Sequence, residues 1–401
     1  MIPFSPPRID DKICDEVVKA LKSGWITTGP RTKEFEKNLV TYCGCPAVVA
    51  VNSATAGLEL MLRWFGVGAG DEVIVPAYTY AATANVIVHC GARPVFADVN
   101  ADDFNISVEA IRKAITARTK VIMPVDFGGM PCDYQAIAEL AADARSHFNA
   151  ANEMQKKLGR ILVLSDAAHS FGATYSGKTA GSFTDVSVFS FHAVKNLTTA
   201  EGGAIALNLP APFNNTEIYT ALCISSLHGQ NKDALAKTRK GNWKYDIVEA
   251  GYKCNMTDVA AAIGLVELER YNSDTLPRRR KIVETYLKAF SADPRFQLPL
   301  FETDQKSSSY HLFALRINNI TEQQRDEIIQ KIFDADVSVN VHFIPVPGTS
   351  FYRSLGYQAK NYPVALDNFR REITLPLYYD LSDEQVNMVI SAVKKAVAAV
   401  C

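Results

Sequence analysis

A lysine at position 195 is the residue of this 401-residue chain whose surroundings most clearly favour nucleophilic chemistry. Lys195 lies five residues beyond Ser190, in a loop without a neighbouring acid or a second lysine. Burial of such an amine in a cleft lowers its pKa, because desolvation disfavours the charged form, and makes it a nucleophile toward an aldehyde. Ser190 ends a predicted strand and could donate to a phosphate. The alternative is a solvated surface lysine, which is what most lysines are.

A carboxylate and an imidazole follow another apolar run. Asp166 and His169 come just after residues 161–164, and proteins with parallel sheets place ligands at such strand ends. An acid there suits the pyridine nitrogen of pyridoxal phosphate, because it keeps the nitrogen protonated and the ring electron-withdrawing. His169 could hydrogen-bond the phenolic oxygen of the same ring. The alternative is an Asp that caps the next turn beside a core His.

The segment 52–57 is a candidate phosphate site, since a helix is predicted to begin there. A helix N-terminus offers free backbone N–H groups and a partial positive charge, and Ser53 and Thr55 add hydroxyl donors. An ordinary N-cap by either residue is the alternative. The segment Tyr78-Thr79-Tyr80 follows the apolar run 73–76 and offers an aromatic side chain that could stack on a pyridine ring, although a lone Tyr is more often packed in a core.

The elements that must position these residues alternate along residues 46–207. Several predicted strands lack polar alternation and so are expected to be buried on both faces, which is typical of a mostly parallel α/β sheet flanked by helices. Strands are predicted at 47–51, 72–75, 94–97, 121–125, 161–165, 186–190 and 203–207, and helices at 55–65, 79–89 and 108–116.

The pattern changes after about residue 275. We predict a large domain with an N-terminal arm over 1–275 and a smaller α+β domain over 276–401. The predicted small-domain elements are an amphipathic helix from Arg278 to about Phe290, a strand near 312–317, a helix near 322–333, a strand near 337–341 and a helix over 383–398. The long stretch 133–160 is expected to extend a surface helix through the polar residues 146–160, without a catalytic role.

Composition narrows the classes of partner. With 42 basic and 43 acidic residues the net charge is −1, so neither nucleic acid nor an anionic membrane is the expected partner. No apolar run approaches the roughly 20 residues that span a bilayer, and the N-terminus has no signal-peptide pattern. The eight scattered cysteines form no CxxC motif, which argues against a disulfide framework or a metal site and for a cytoplasmic location.

Ordered segments over nearly the whole chain resemble one known family, the DegT/StrS-type sugar aminotransferases of the aspartate-aminotransferase fold (fold-type I). The matching segments are 23–30 with Phe35 and Glu36, 52–55, 70–76, 78–85, 91–99, 166–172, 189–192, 195–203, 251–252, 256–258, 261–264, 375–377 and 381–386.

The resemblance implies a pyridoxal 5'-phosphate enzyme in which Lys195 carries the cofactor covalently, as a Schiff base. It implies that Lys195 also moves protons, that Asp166 pairs with the pyridine nitrogen and that Tyr80 stacks on the ring. The expected phosphate ligands are Ser53, the backbone of Ala54, Thr55 and Ser190. The implied reaction transfers an amino group from an amino acid, expected to be L-glutamate, to a nucleotide-linked keto sugar. A homodimer with shared active sites is implied, in which residues 251–255 reach the partner's phosphate.

Three departures from the family pattern stand out. His169 occupies a position that is more often Gln, but an imidazole can still donate to the ring oxygen. Lys253 stands where Asn is usual and Asn255 where Arg is common; Lys253 would meet the phosphate as a full charge. Residues 125–129 replace a stretch that usually contains His.

Two other functions remain open from the sequence. A sugar dehydratase on the same scaffold would carry His in place of the lysine, which Lys195 disfavours. A catalytically altered regulatory or binding protein is the second, since a fold alone does not prove activity. The sugar, its nucleotide and the aminated carbon are not encoded in a recognisable motif. Candidate substrate contacts by position are Trp25, Thr27, His311, His342 and the region 226–244.

Overall fold

A seven-stranded sheet forms the centre of the protein, whose computed structural model describes residues 1–232 and 244–401. Its spatial order is β1-β9-β8-β5-β4-β2-β3, and only β9 runs antiparallel to its neighbours β1 and β8. The predicted α/β class with a mostly parallel sheet is confirmed. The strands are β1 (Ala47–Val51), β2 (Glu72–Pro76), β3 (Arg93–Ala97), β4 (Thr119–Ile122), β5 (Leu162–Asp166), β8 (Val186–Ser190) and β9 (Gly203–Leu207). The short strands β6 (Thr174–Tyr175) and β7 (Lys178–Thr179) lie outside this sheet.

Helices cover both faces of this sheet, which explains why its strands read as continuous apolar runs. Every residue of β1, β2 and β9 is buried. Gly57 allows one helix to pack closely, since a Cβ there would lie 2.8 Å from Val188 Cγ1. The helices are α1 (Asp11–Lys22), α2 (Pro30–Cys43), α3 (Ala54–Trp64), α4 (Ala81–His89), α5 (Val108–Ala114), α6 (Tyr134–Asp143), α7 (Glu153–Leu158), α8 (Asn215–Ser225) and α9 (Asp258–Arg270).

The C-terminal part has its own core around a three-stranded antiparallel sheet of order β10-β12-β13. The proposed division at residue 275 coincides with the π-helix Tyr271–Thr275, which joins α9 to the next helix. Its strands are β10 (Phe296–Gln297), β12 (Phe313–Ile317) and β13 (Glu372–Leu375), and β11 (Lys306–Ser307) pairs with β6. Its helices are α10 (Leu276–Phe290), α11 (Glu322–Asp334), α12 (Ser350–Ser354), α13 (Pro363–Arg371) and α14 (Asp383–Val400).

The strand predicted near 337–341 is wrong. The backbone makes only isolated bridges there, between Val337 and Ile2 and between Asn340 and Thr374. The apolar alternation of this segment instead serves packing, because Val337 and Val339 both belong to the core of the C-terminal part.

The surface helix expected to extend through residues 146–160 is also wrong. Helix α6 ends at Asp143, and the chain then turns back and forms the short α7. Gln155 is fully buried, and its Nε2 donates to the carbonyl of Phe65 at 3.0 Å, as Asn152 Nδ2 also does. The segment therefore satisfies the orphan carbonyls at the C-terminus of α3.

The N-terminal segment crosses to the C-terminal part before α1 begins. Ile2 pairs with Val337, and the ring of Phe4 stacks on His342 at 5.7 Å. Arg8 Nη1 lies 2.7 Å from Asp274 Oδ2 and anchors the end of the segment. Among the helices of the described part of the chain, none combines the length and the apolar character needed to cross a bilayer.

Candidate active site

A cavity of about 370 Å³ opens at the carboxyl ends of β5 and β8. A volume in this range is typical of sites that hold a cofactor or a small substrate. The predicted site residues on its wall are Ser53, Ala54, Thr55, Tyr80, Asp166, His169, Ser190 and Lys195. Residues from separate parts of the large sheet therefore converge on one cavity, as the parallel topology requires.

Lys195 lies in the wall of this cavity rather than on the outer surface. Its backbone N–H donates to the carbonyl of His192 at 2.9 Å, in the loop that follows β8. Burial lowers the pKa of Lys195 to about 8, and the negative charge of Asp166 opposes this shift. A fraction of the amine is therefore neutral near physiological pH and can act as a nucleophile.

Asp166, the last residue of β5, is 6% exposed. Burial raises its pKa, whereas hydrogen bonds and the Lys195 charge favour the carboxylate. Thr83 Oγ1 donates to Oδ2 at 2.8 Å, and the N–H of Ala168 donates to Oδ1 at 3.3 Å. Thr83 Oγ1 itself lies 2.9 Å from Thr79 Oγ1, so a short polar chain at the start of α4 leads to the buried acid.

His169 is held as a neutral imidazole. Its Nδ1 accepts a hydrogen bond from the backbone N–H of Gly128 at 3.3 Å, which places the ring proton on Nε2. Burial and the nearby Lys195 charge lower its pKa well below the ordinary value. The ring packs against His311 with centroids 4.4 Å apart. Nε2–H thus remains available as a donor to a ligand.

The start of α3 forms a cradle with the end of β8. Ser53 caps the helix, since its Oγ accepts from the N–H of Ala56 at 3.1 Å. Gly203 lies between the two halves of this cradle, paired with Val51 on one side and Ser190 on the other. A Cβ at Gly203 would come within 2.5 Å of the backbone nitrogen of Ala54. Glycine is thus what allows the helix N-terminus to approach the sheet here.

Aromatic and imidazole rings form the opposite wall. Tyr80 is 65% exposed, and its ring lies 6.0 Å from that of Phe343. Phe4 reaches the same wall from the N-terminal segment. The exposed face of Tyr80 is compatible with stacking on a planar ligand.

Some of the candidate residues lie elsewhere. His311 and His342 line the cavity, but Trp25 and Thr27 do not. Lys253 lies outside the cavity of its own chain, where its Nζ donates to Asn255 Oδ1. Residues 233–243 of the candidate region 226–244 lie outside the described residues.

Sequence reasoning assigned no role to Thr83, Phe4 or Phe343, all of which support this site. Thr83 could have been noticed as a hydroxyl-bearing residue about one helical turn beyond Thr79. Phe4 carried no local signal, because its place in the cavity depends on a contact with His342 across most of the chain.

The cavity fits pyridoxal phosphate. It combines a helix N-terminus with hydroxyl donors for a phosphate, a buried carboxylate for a pyridine nitrogen and an amine with a lowered pKa for an aldehyde. Within the described ranges, no group of three or more His, Cys, Asp or Glu residues could hold a metal ion.

Comparisons with known proteins agree with this chemistry. A profile of the DegT/DnrJ/EryC1/StrS aminotransferase family matches residues 7–394. The spore coat polysaccharide biosynthesis protein SpsC of Bacillus subtilis is 38% identical over 403 residues, which cover 99% of this chain and 97% of that protein.

Solved structures give the same result. Spr1654 of Streptococcus pneumoniae, described as a candidate sugar aminotransferase, has a TM-score of 0.97 in its PMP form, with 47% identity and complete coverage of both chains. Its PLP form has a TM-score of 0.95, 46% identity and coverage of 100% of this chain and 99% of that one. Helicobacter pylori PseC, an aminotransferase involved in pseudoaminic acid biosynthesis, has a TM-score of 0.87, 27% identity and 99% coverage of both chains.

Proposed function

The chain belongs to the DegT/DnrJ/EryC1/StrS aminotransferase family and is a pyridoxal-phosphate-dependent aminotransferase, and we propose that it transfers an amino group from L-glutamate to a keto group of a nucleotide-linked sugar. The observation that carries the proposal is the convergence of Lys195, Asp166 and the α3 cradle on one cavity. SpsC and PseC, with names that refer to polysaccharide and pseudoaminic acid biosynthesis, support the sugar as acceptor.

The positions of the residues support the following proposed roles. Pyridoxal phosphate, when bound, supplies an aldehyde that exchanges amines and a cationic ring that accepts electrons. Lys195 Nζ is the covalent attachment point and the general base that takes up a proton from the substrate carbon and returns it. Asp166 would hold a negative charge beside the pyridine nitrogen, and His169 Nε2–H would donate to the phenolic oxygen.

The remaining assigned residues anchor the phosphate and the ring face. Ser53, the N–H of Ala54, Thr55 and Ser190 would hold the phosphate, and Tyr80 would cover the ring. Donor and acceptor substrates use these groups in turn, in a two-stage ping-pong reaction. The same cavity therefore serves both half-reactions.

We also propose a cytoplasmic homodimer in which residues 251–255 complete the partner's phosphate site. Lys253 lies outside its own cavity, and Tyr252 is 40% exposed beside it. Ile247 and Val248, in the same region, are also exposed apolar residues. Such a surface favours burial against another chain.

Two alternatives have weaker support. A sugar dehydratase of this scaffold would lack the amine that Lys195 presents to the cavity. A regulatory binding protein would not require an amine with a lowered pKa and a buried acid in one cavity.

The cofactor assignment is tested by absorption spectroscopy. Purified protein should take up pyridoxal phosphate, turn yellow and lose the visible band on treatment with borohydride. Lys195→Ala should give no borohydride-reducible adduct, whereas Lys22→Ala, an exposed lysine on α1, should behave as wild type. A wild type that takes up no cofactor would favour the binding protein.

The substrate assignment needs a separate assay. Nucleotide-linked keto sugars that differ in the ring position of the carbonyl should be incubated with glutamate, and the amino sugars identified by mass spectrometry. Formation of 2-oxoglutarate with one keto sugar and not with free keto acids supports the proposal. Equal turnover of simple keto acids would instead indicate an amino-acid aminotransferase.

A further inference from the structure

A buried carboxylate lies behind the aromatic wall of the cavity and has no role in the reaction described above. Glu372 and Thr374 are both fully buried in β13, and because they are two residues apart they share one face of the strand. Glu372 Oε2 accepts from the backbone N–H of His342 at 2.9 Å, and the Thr374 hydroxyl hydrogen-bonds Glu372 Oε1. The three residues form one connected polar group.

His342 connects this group to the cavity. Its Nδ1 lies 2.9 Å from Thr374 Oγ1, and its ring lines the cavity and stacks on Phe4. Its backbone carbonyl accepts from the Tyr78 hydroxyl, so the main chain is fixed on both sides. No described residue hydrogen-bonds Nε2, which is therefore the nitrogen left for a ligand.

The charges around Glu372 do not neutralise it by direct contact. In the described part of the chain, no guanidinium forms an ion pair with its carboxylate, although Arg316 on β12 and Arg325 on α11 lie near enough to act on its pKa. Arg325 Nη1 instead donates to the backbone carbonyls of Phe369 and Glu372. The Tyr78 hydroxyl on the opposite side is neutral, since burial raises its pKa.

We propose that His342 exchanges a proton with an N–H or O–H group of the sugar through Nε2, and that Thr374 and Glu372 form the relay that stores this proton. When Nε2 gives its proton to the substrate, Nδ1 takes the Thr374 hydroxyl proton and Thr374 takes the proton of Glu372. The imidazole ends as the other neutral tautomer, threonine is unchanged and the carboxylic acid becomes a carboxylate. The reverse sequence returns the proton, so charge and atoms balance.

The relay explains how a partly buried imidazole can do acid–base work without becoming charged. Burial and Lys195 lower the pKa of His342 to about 3, so an imidazolium is not available at neutral pH. Burial raises the pKa of Glu372 to about 8, so the proton that the imidazole cannot hold is stored on the carboxyl group. At pH 7 the resting state is therefore a carboxylic acid with the ring proton on Nε2.

The experiment follows the tautomer of His342 in the holoenzyme labelled with ¹⁵N-histidine, with its signal assigned by its loss in His342→Gln. The wild type should show Nε2–H at pH 6.5 and Nδ1–H at pH 9.5, with a midpoint of about 8. Thr374→Val should abolish this switch, and Thr374→Ser should keep it. One unchanged tautomer across this range, an imidazolium signature, or a switch that persists in Thr374→Val would overturn the relay.

The role of the relay in catalysis depends on the proposed function. A second measurement therefore distinguishes failure of the relay from failure of the proposed function. Thr374→Val should lower the kcat of sugar amination about one-hundredfold, the lower end of typical acid–base contributions, with KM nearly unchanged. Thr374→Ser should recover most of that loss. A normal kcat in Thr374→Val would refute the relay's role in the reaction. A protein that aminates no keto sugar but shows the tautomer switch would refute the substrate assignment alone.

Discussion

Replacing Thr83 by Val should slow the reaction by removing a hydrogen bond to Asp166. Thr83 itself is not one of the reacting groups. Thr83 Oγ1 donates to Asp166 Oδ2 at 2.8 Å inside a fully buried environment. Valine has nearly the same shape, so the helix keeps its packing while the donor is lost. The carboxylate retains only the N–H of Ala168, at 3.3 Å, as a described hydrogen-bond donor.

The size of the effect follows from the geometry of this contact. A hydrogen bond to a charged group contributes about 1.5–3 kcal/mol, and burial of both partners prevents water from replacing it. Because the bond favours the carboxylate, its loss raises the pKa of Asp166 further in the direction that burial already gives. We expect kcat to fall about tenfold to one-hundredfold, since about 1.4 kcal/mol corresponds to a factor of ten.

The assay compares kcat, and the pH dependence of the absorption of bound cofactor, in three variants. Thr83→Ser should recover most of the activity because it restores the hydroxyl. Thr79→Val is the comparison: Thr79 contacts Thr83 but not Asp166. Because a neutral hydrogen bond contributes only about 0.5–1.5 kcal/mol, kcat should fall by no more than about tenfold and by less than in Thr83→Val. If Thr83→Val keeps wild-type kcat and spectrum, Thr83 does not orient the acid.

Three further predictions concern the cradle, the amine and the insertion. Gly203→Ala should weaken cofactor binding and lower the free energy of unfolding by about 1–3 kcal/mol, because its Cβ would meet backbone atoms at 2.5–2.8 Å. The control for the melting and cofactor-titration experiments is Gly68→Ala, whose Cβ would meet only a carbonyl at 4.0 Å. Uptake of cofactor by the apoprotein should accelerate as pH rises toward 8 and level off above it, since Lys195, with a pKa of about 8, is neutral at higher pH; stopped-flow rates that keep rising to pH 10 would contradict this. Gln155→Ala should lower the free energy of unfolding by about 1–3 kcal/mol in denaturant titrations without changing kcat, because two carbonyls lose a buried donor. Glu153→Ala, at an exposed ion pair, should change the free energy of unfolding by less than about 1 kcal/mol. Equal effects of the two variants would mean that the segment around Gln155 does not pack as described.

Much of the large sheet could be predicted because its signal is local. The predicted strands 47–51 and 203–207 have the observed bounds, since continuous apolar runs mark strands buried on both faces. The predicted strand 186–190, which contains two serines, also has the observed bounds. The smaller sheet was harder. The strand predicted at 337–341 is absent and β13 was not predicted, because short edge segments carry patterns that isolated bridges and packed loops also satisfy.

The sequence by itself determined which residues stand at the carboxyl ends of the strands, and hence that Asp166, Ser190 and Lys195 were candidates. The end of a strand and the residue types found there depend on residues that are adjacent in the chain, so they can be predicted from a single sequence. Only the tertiary structure decided which distant side chains surround the site. Thr83 contacts Asp166, Phe4 stacks on His342, and Glu372 and Thr374 hydrogen-bond His342. Their positions depend on packing between segments that lie far apart along the chain, and no local periodicity records such contacts.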